Sequence, residues 1–196
     1  MIDDQLQRFS LAVSAYEADD MAVAFQFFEA LANEGNAGAC QYLGLMFKTG
    51  DGVVKDIAIA KFWYAKHRNL LQERTMAGNA DATLSLAKLY QYGDNVEVNW
   101  QKALLLIRRA AESGHSGAQF HLATIHKYAW CGCEQDLISY SYWLNEAVAK
   151  GHAEALYMRG IELAETQHGR ETGIDHVRKA ASKGFWPAQQ WLCARE

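Results

Sequence analysis

Five glycines spaced 33 to 43 residues apart along this chain are each followed, four residues later, by an alanine. The pairs are Gly35 and Ala39, Gly78 and Ala82, Gly114 and Ala118, Gly151 and Ala155, and Gly184 and Ala188. Successive glycines lie 43, 36, 37 and 33 residues apart. A period in the thirties is the length of a helix–turn–helix unit, and a tandem array of such units constrains the fold more than any other feature here. Each glycine follows a run of helix formers such as Ala110-Ala111 or Ala180-Ala181. There the chain must leave the helix through a left-handed residue, a conformation that glycine adopts without steric cost. A single proline in 196 residues agrees with long helices joined by short glycine turns.

The helix after each repeat glycine, helix A, carries Leu43-Gly44, Leu86-Ala87, Leu122-Ala123 and Arg159-Gly160 at one register. The small second residue allows a neighbouring helix to come close. Four residues after the leucine or arginine stand Phe47, Tyr90, His126 and Leu163, expected to fill the hairpin; His126 and Arg159 break the apolar pattern. Helix A is expected to stop at Gly50, Gly93, Gly132 or Gly169. The second helix, helix B, is then capped by Asp56, Asn99 or Asp136, and by Asp20 in the first hairpin. Small residues four past the cap (Ala24, Ala60, Ala103, with Tyr140 the exception) and bulky ones seven past it (Phe27, Trp63, Leu106, Trp143) make one apolar stripe. Seven extra residues within 69–77 predict a longer helix B in that repeat, and the last repeat lacks a good cap and has Gly173 and His176 in place of alanine and a large apolar residue.

The run from Ala39 to Tyr64, ACQYLGLMFKTGDGVVKDIAIAKFWY, resembles a nearly complete Sel-1-like repeat: alanine, leucine-glycine, an aromatic, glycine-x-glycine-valine, aspartate, alanine, tryptophan. The likeness is good in 82–111, fair in 118–148 and degenerate in 155–181, and it extends from about Ala15 to the C-terminus. It implies an all-α fold, an α/α superhelix (solenoid) of antiparallel helix pairs related to tetratricopeptide repeats. It also implies a non-enzymatic adaptor or scaffold, of the kind found in bacteria, with no shared catalytic residues to carry over. The expected organisation is a single solenoid domain over 1–196, with hairpins at about 3–34, 37–77, 80–113, 116–150 and 153–183 and a capping helix at 187–194.

Composition narrows the function classes. Half of the residues are hydrophobic and 12% aromatic, which supplies a core and excludes wholesale disorder. Net charge is −4 with no basic tract, so the counterion release that drives nucleic-acid binding has no counterpart here. The acidic start, Met1-Ile2-Asp3-Asp4, is unlike a secretory leader, and no run approaches the roughly 20 apolar residues of a membrane span. A cytoplasmic location follows as the expectation, with Cys40 and Cys193 as small core residues and all four cysteines as free thiols.

His121, His126, Cys131 and Cys133 are zinc-type ligands in one window, spaced H-x4-H-x4-C-x-C. Structural zinc sites pair their ligands at other spacings, and two histidines five apart on a helix point roughly 140° away from each other. Core histidines and loop cysteines are the expectation, with no metal or cofactor. A Cys/His nucleophile lacks an oxyanion hole and an orienting third group. Gly50-Asp51-Gly52 leads into no lysine-bearing phosphate motif and is the turn of the repeat itself.

By analogy with tetratricopeptide geometry, helices A line a concave face, and residues 3, 6, 10, 13 and 14 past each glycine point outward. This register selects Leu45, Leu84, Lys88, Tyr92, Phe120, Lys127, Tyr128, Tyr157 and Ile161 as a partner-binding set. Aromatic side chains bury much area at small entropic cost, and Lys88 and Lys127 stand ready for acidic groups on a ligand. The expected partner is another protein or peptide, held by a monomer or weak homodimer with no nucleic acid or membrane involved. The alternative is a cytoplasmic immunity or antitoxin-type inhibitor of a secreted effector enzyme.

Overall fold

A computed structural model of the chain describes residues 2–195, apart from the side chains of Ile2, Asp3 and Cys131. The described residues form helices and turns, with no strand among them. The helices are α1 (Ile2–Glu17), α2 (Met21–Asn33), α3 (Ala37–Thr49), α4 (Ile57–Met76), α5 (Ala80–Tyr92) and α6 (Trp100–Glu112). They continue as α7 (Ser116–Tyr128), α8 (Leu137–Ala149), α9 (Ala153–Ala164), α10 (Arg170–Ser182) and α11 (Trp186–Cys193), with a 3-10 turn at Trp130–Gly132. Two compact units divide the chain, residues 1–89 with 93–97, and residues 90–92 with 98–196.

The repeat glycines do what the spacing predicts. Gly35, Gly78, Gly114, Gly151 and Gly184 all take left-handed φ values, from 73° to 87°. The residue after the glycine has a second role. Asn36, Asn79 and His115 accept hydrogen bonds through their side chains from the backbone N–H of Ala39, Ala82 and Ala118, at 3.0, 2.8 and 3.0 Å. The recurring alanine is thus the third helical residue after an N-cap, and the pattern Gly-Asn/His-x-x-Ala encodes both the stop and the restart. His152 and Phe185 hold the same place in the last two repeats without a capping bond.

Asp20, Asp56, Asn99 and Asp136 cap helices B through their side chains. Their own backbone N–H groups tie the hairpins shut: Asp56 donates to the Phe47 carbonyl at 2.8 Å, Asn99 to Tyr90 at 2.8 Å and Asp136 to His126 at 3.0 Å. Helix α4 runs 20 residues where α6, α8 and α10 run 13, so the insertion lengthens helix B by the predicted seven. The added turns keep Leu71 and Thr75 buried, and Arg74 reaches back to the Gly35 carbonyl at 2.9 Å.

The structure corrects the sequence at several points. Gly50 and Gly93 end helices A in the left-handed conformation, but Gly132 does not. Helix α7 stops earlier, at Ala129 with φ 57°, which fills the left-handed slot without glycine's freedom. Gly169 ends nothing; it precedes α10, and α9 has already stopped at Ala164. The deepest bulky residue of helix B lies eight rather than seven past the cap: Phe28, Tyr64, Ile107 and Leu144 are at most 9% exposed. Trp63 and Trp143, at the expected position, are only half-buried. Cys193 is exposed at the end of α11, whereas Cys40 is buried in the α1–α3 core, where burial raises its thiol pKa.

In the first unit that core joins Phe28, Leu31, Leu43 and Met46, with Phe28 stacked on Tyr42 at 4.5 Å. In the second unit one cluster gathers Leu144, Ala147 and Ala155, and another gathers Leu156, Val177 and Ala188.

Candidate functional site

Helices α7 and α9 of the second unit carry three of the four aromatic residues singled out by register, Phe120, Tyr128 and Tyr157. Phe120 of α7 stacks on His152, the residue just before α9, at 5.1 Å. Tyr157 of α9 tilts against Phe185, just before α11, at 5.4 Å. The same step is used twice: a ring in helix A meets a ring at the start of the next repeat. Phe120 and Tyr157 are half-buried and pack on the cores around Leu144 and Val177, so they hold repeats together as well as facing outward.

Tyr92 and Tyr128 differ. They hold the same register position in their repeats and are 67% and 50% exposed. Tyr128 stacks on Trp130 at 5.3 Å, and Trp130 is itself 47% exposed. Water contact on three aromatic rings forfeits burial worth roughly 1.5–3 kcal/mol for each large side chain. Of the remaining positions, Lys88 is exposed, Leu45 and Ile161 are half-buried, and Leu84 is buried at 8% and withdrawn from the surface of the chain.

Lys127 has an internal task. Its Nζ lies 2.9 Å from Glu162 Oε1 and 3.2 Å from the Tyr140 hydroxyl, and 4.7 Å above the Tyr140 ring. Tyr140 donates to the same carboxylate oxygen. Arg159, which breaks the leucine pattern, completes the cluster: Nη1 is 3.4 Å from Glu162 Oε2 and Nη2 is 2.6 Å from Asn145 Oδ1. Burial and the Glu162 carboxylate push the Tyr140 phenol up to about 12. Burial alone depresses the Lys127 ammonium, but its bonds to Glu162 and Tyr140 outweigh that and the net shift is upward. Lys127 is therefore the centre of a polar tie between α7, α8 and α9, and not a spare charge awaiting a ligand. Sequence alone gave no sign of this, because its members come from three helices.

The histidine–cysteine window is not drawn into a cluster. Among the described residues no group of three or more His, Cys, Asp or Glu side chains is placed to hold a metal ion; the side chain of Cys131 is outside that set. His121 and His126 are half-buried on α7, as is Cys133 beyond the 3-10 turn. Among the described residues no helix is long and apolar enough to cross a membrane.

The profile of the Sel1 repeat matches residues 37–66 and 80–115. Over 199 residues the chain is 27% identical to an exopolysaccharide production negative regulator of Rhizobium meliloti (strain 1021), an alignment that covers 96% of this chain and 72% of that protein. It is 28% identical over 162 residues to a protein of the same description from Rhizobium leguminosarum bv. viciae, covering 78% of this chain and 59% of the relative. The chain thus spans well under the full length of either. Among solved structures, a Sel1 repeat protein from Oxalobacter formigenes matches with a TM-score of 0.64 at 23% identity, over 96% of this chain and 76% of that one. A protective antigen of uropathogenic Escherichia coli strains, displaying an SLR fold, matches with a TM-score of 0.56 at 22% identity, over 97% of this chain and 48% of that one. Residues 37–66 and 80–115 are thus Sel1 repeats, and the chain as a whole shares the helical-repeat fold of these solved structures.

Proposed function

We propose that the chain is a non-enzymatic adaptor that holds another protein or peptide, using the aromatic surface of Tyr92, Tyr128 and Trp130 in its second unit. The observation that carries this reading is their exposure, 67%, 50% and 47%, where Tyr90 on α5 is buried and Phe120 on α7 is half-buried. Exposed aromatics of this kind act as anchors when a partner excludes water from them. Phe120, Tyr157 and Ile161 extend the surface from positions that also serve the core. The Rhizobium relatives regulate exopolysaccharide production, which favours a regulatory use of such binding over a purely structural one.

The test is capture of partners from a lysate of the source organism, with the triple variant Tyr92→Ser/Tyr128→Ser/Trp130→Ser beside the natural chain. A stoichiometric partner that the variant loses, at unchanged melting temperature, supports the reading. A partner retained in full by the variant refutes this face as the docking site. If the partner is a toxic enzyme that the chain inhibits, the inhibitor alternative replaces the adaptor.

A further inference from the structure

The C-terminal end of the second unit holds a cavity of about 660 Å³ between the end of α9, one face of α10 and the end of α11. Its apolar lining comes from Ile161, Ile174, Trp191 and Leu192. Ile161, Trp191 and Leu192 pack on the Val177 core behind it, so the floor is continuous with the interior. Its charged lining is unlike the rest of the chain. Three arginines, Arg170, Arg178 and Arg195, share the cavity with a single carboxylate, Glu165, in a protein whose net charge is −4.

Among the described residues none of these arginines has a carboxylate within ion-pair distance. Asp175, which feels the charge of Arg178, is already committed to Lys179 at 2.7 Å. The Arg195 guanidinium carbon lies 3.8 Å from the centre of the Trp191 ring, a cation–π contact between two residues of the lining. Arg170, Ile174 and Arg178 follow one another at four-residue steps along α10. This spacing sets them on one stripe, with the two arginine backbones roughly 12 Å apart and the isoleucine midway.

We propose that this cavity is a docking site for an acidic amphipathic helix of a partner protein, one that presents an apolar side chain to Ile174 and Trp191 between two carboxylates. Charge complementarity and helical period single out this occupant. An arginine–isoleucine–arginine stripe at four-residue steps is matched by an acid–apolar–acid stripe at the same steps, and arginine forks grip carboxylates in paired hydrogen bonds. The proposal rests on the adaptor reading above and names the chemistry of the partner, at a second place on the same unit.

Selection of random 16-residue peptides displayed on phage, carried out on the full chain, tests it. Recovered peptides should carry two acidic residues seven or eight apart around an aromatic or aliphatic one. Their affinity should fall about tenfold or more on Arg170→Glu/Arg178→Glu, and further with added salt. Both arginines are exposed, and the milder Arg170→Gln/Arg178→Gln gives an intermediate loss if charge reversal disturbs folding. Recovery of no peptides, of peptides without acidic residues, or of peptides indifferent to both variants would overturn the proposal. The triple aromatic variant separates the two readings: peptides that still bind it leave this site standing even if the aromatic face carries no partner.

Discussion

In α3–α4, Gly44 of helix A receives the ring of Tyr64 from helix B; a Cβ on Gly44 would lie 2.7 Å from that ring. In α9–α10, Gly160 stands in the same register and receives the smaller Val177, whose Cγ2 would be 2.7 Å from a Cβ there. A large residue seated on glycine keeps the helices of the α3–α4 hairpin apart by a ring's width. A small one lets those of the last hairpin close until backbone meets backbone. Residue four past the cap follows suit. It is Ala60 in α4 and Gly173 in α10, where a Cβ would fall 2.5 Å from the Gly160 carbonyl. The hairpin whose sequence looks degenerate therefore obeys the same packing rule with smaller pieces.

Truncation should separate the two hairpins most widely. Tyr64→Ala removes a ring from a 9%-exposed site and should cost about 3–5 kcal/mol, against about 2 kcal/mol for Val177→Ala, read by chemical denaturation. Equal losses would mean that the two hairpins do not differ in separation. Gly173→Ala, which copies Ala60, should cost about 2 kcal/mol, because the new methyl meets backbone that cannot step aside. A gain of the ~1 kcal/mol that alanine normally brings to a helix would sink the close-contact account.

A buried and a half-buried imidazole set the next difference. His67 of α4 donates from Nδ1 to the Ala37 carbonyl at 2.7 Å, and burial lowers its pKa despite that bond and the Asp94 charge. His152, just before α9, is lowered by burial and by His115, against the pull of Glu154. Groups depressed in the folded state contribute stability above their ordinary pKa of about 6.5 and lose it as pH falls through the folded values. The melting temperature should fall between pH 7.5 and 5.5, a window above the carboxylates' ordinary range. A flat profile would show that neither ring is as buried as described.

The smallest effect concerns the end of helix A. The left-handed slot holds Gly50 in α3–α4 and Ala129 in α7–α8, while in α9–α10 the chain turns without one. Ala129→Gly should raise stability by about 0.5 kcal/mol, the strain relieved less the added freedom of the unfolded chain. Destabilisation would show that the alanine methyl makes contacts worth more than its strain.

Much of this organisation was legible in the residues because it is local. Gly35 and its counterparts stop a helix whatever surrounds them, and Asp56, Asn99 and Asp136 cap the helix they precede. The Asn36, Asn79 and His115 caps were equally local; the signal was the residue after each repeat glycine. The candidate surface was legible only in part. Tyr92 and Tyr128 came out exposed at the register chosen for them, but Leu84 at an equivalent position is buried, because helical period fixes which face a residue lies on and not how deeply that face is covered.

By itself, then, the order of residues determined the helices, most of their ends and their pairing, since these depend on bonds between groups a few positions apart. Tertiary structure alone decided that Lys127 and Tyr140 are tied to Glu162, that Gly173 rests on the Gly160 backbone, and that Arg170 and Arg178 flank a cavity with Trp191. Each of those depends on side chains brought from different helices, where the outcome is set by distances that no single helix encodes.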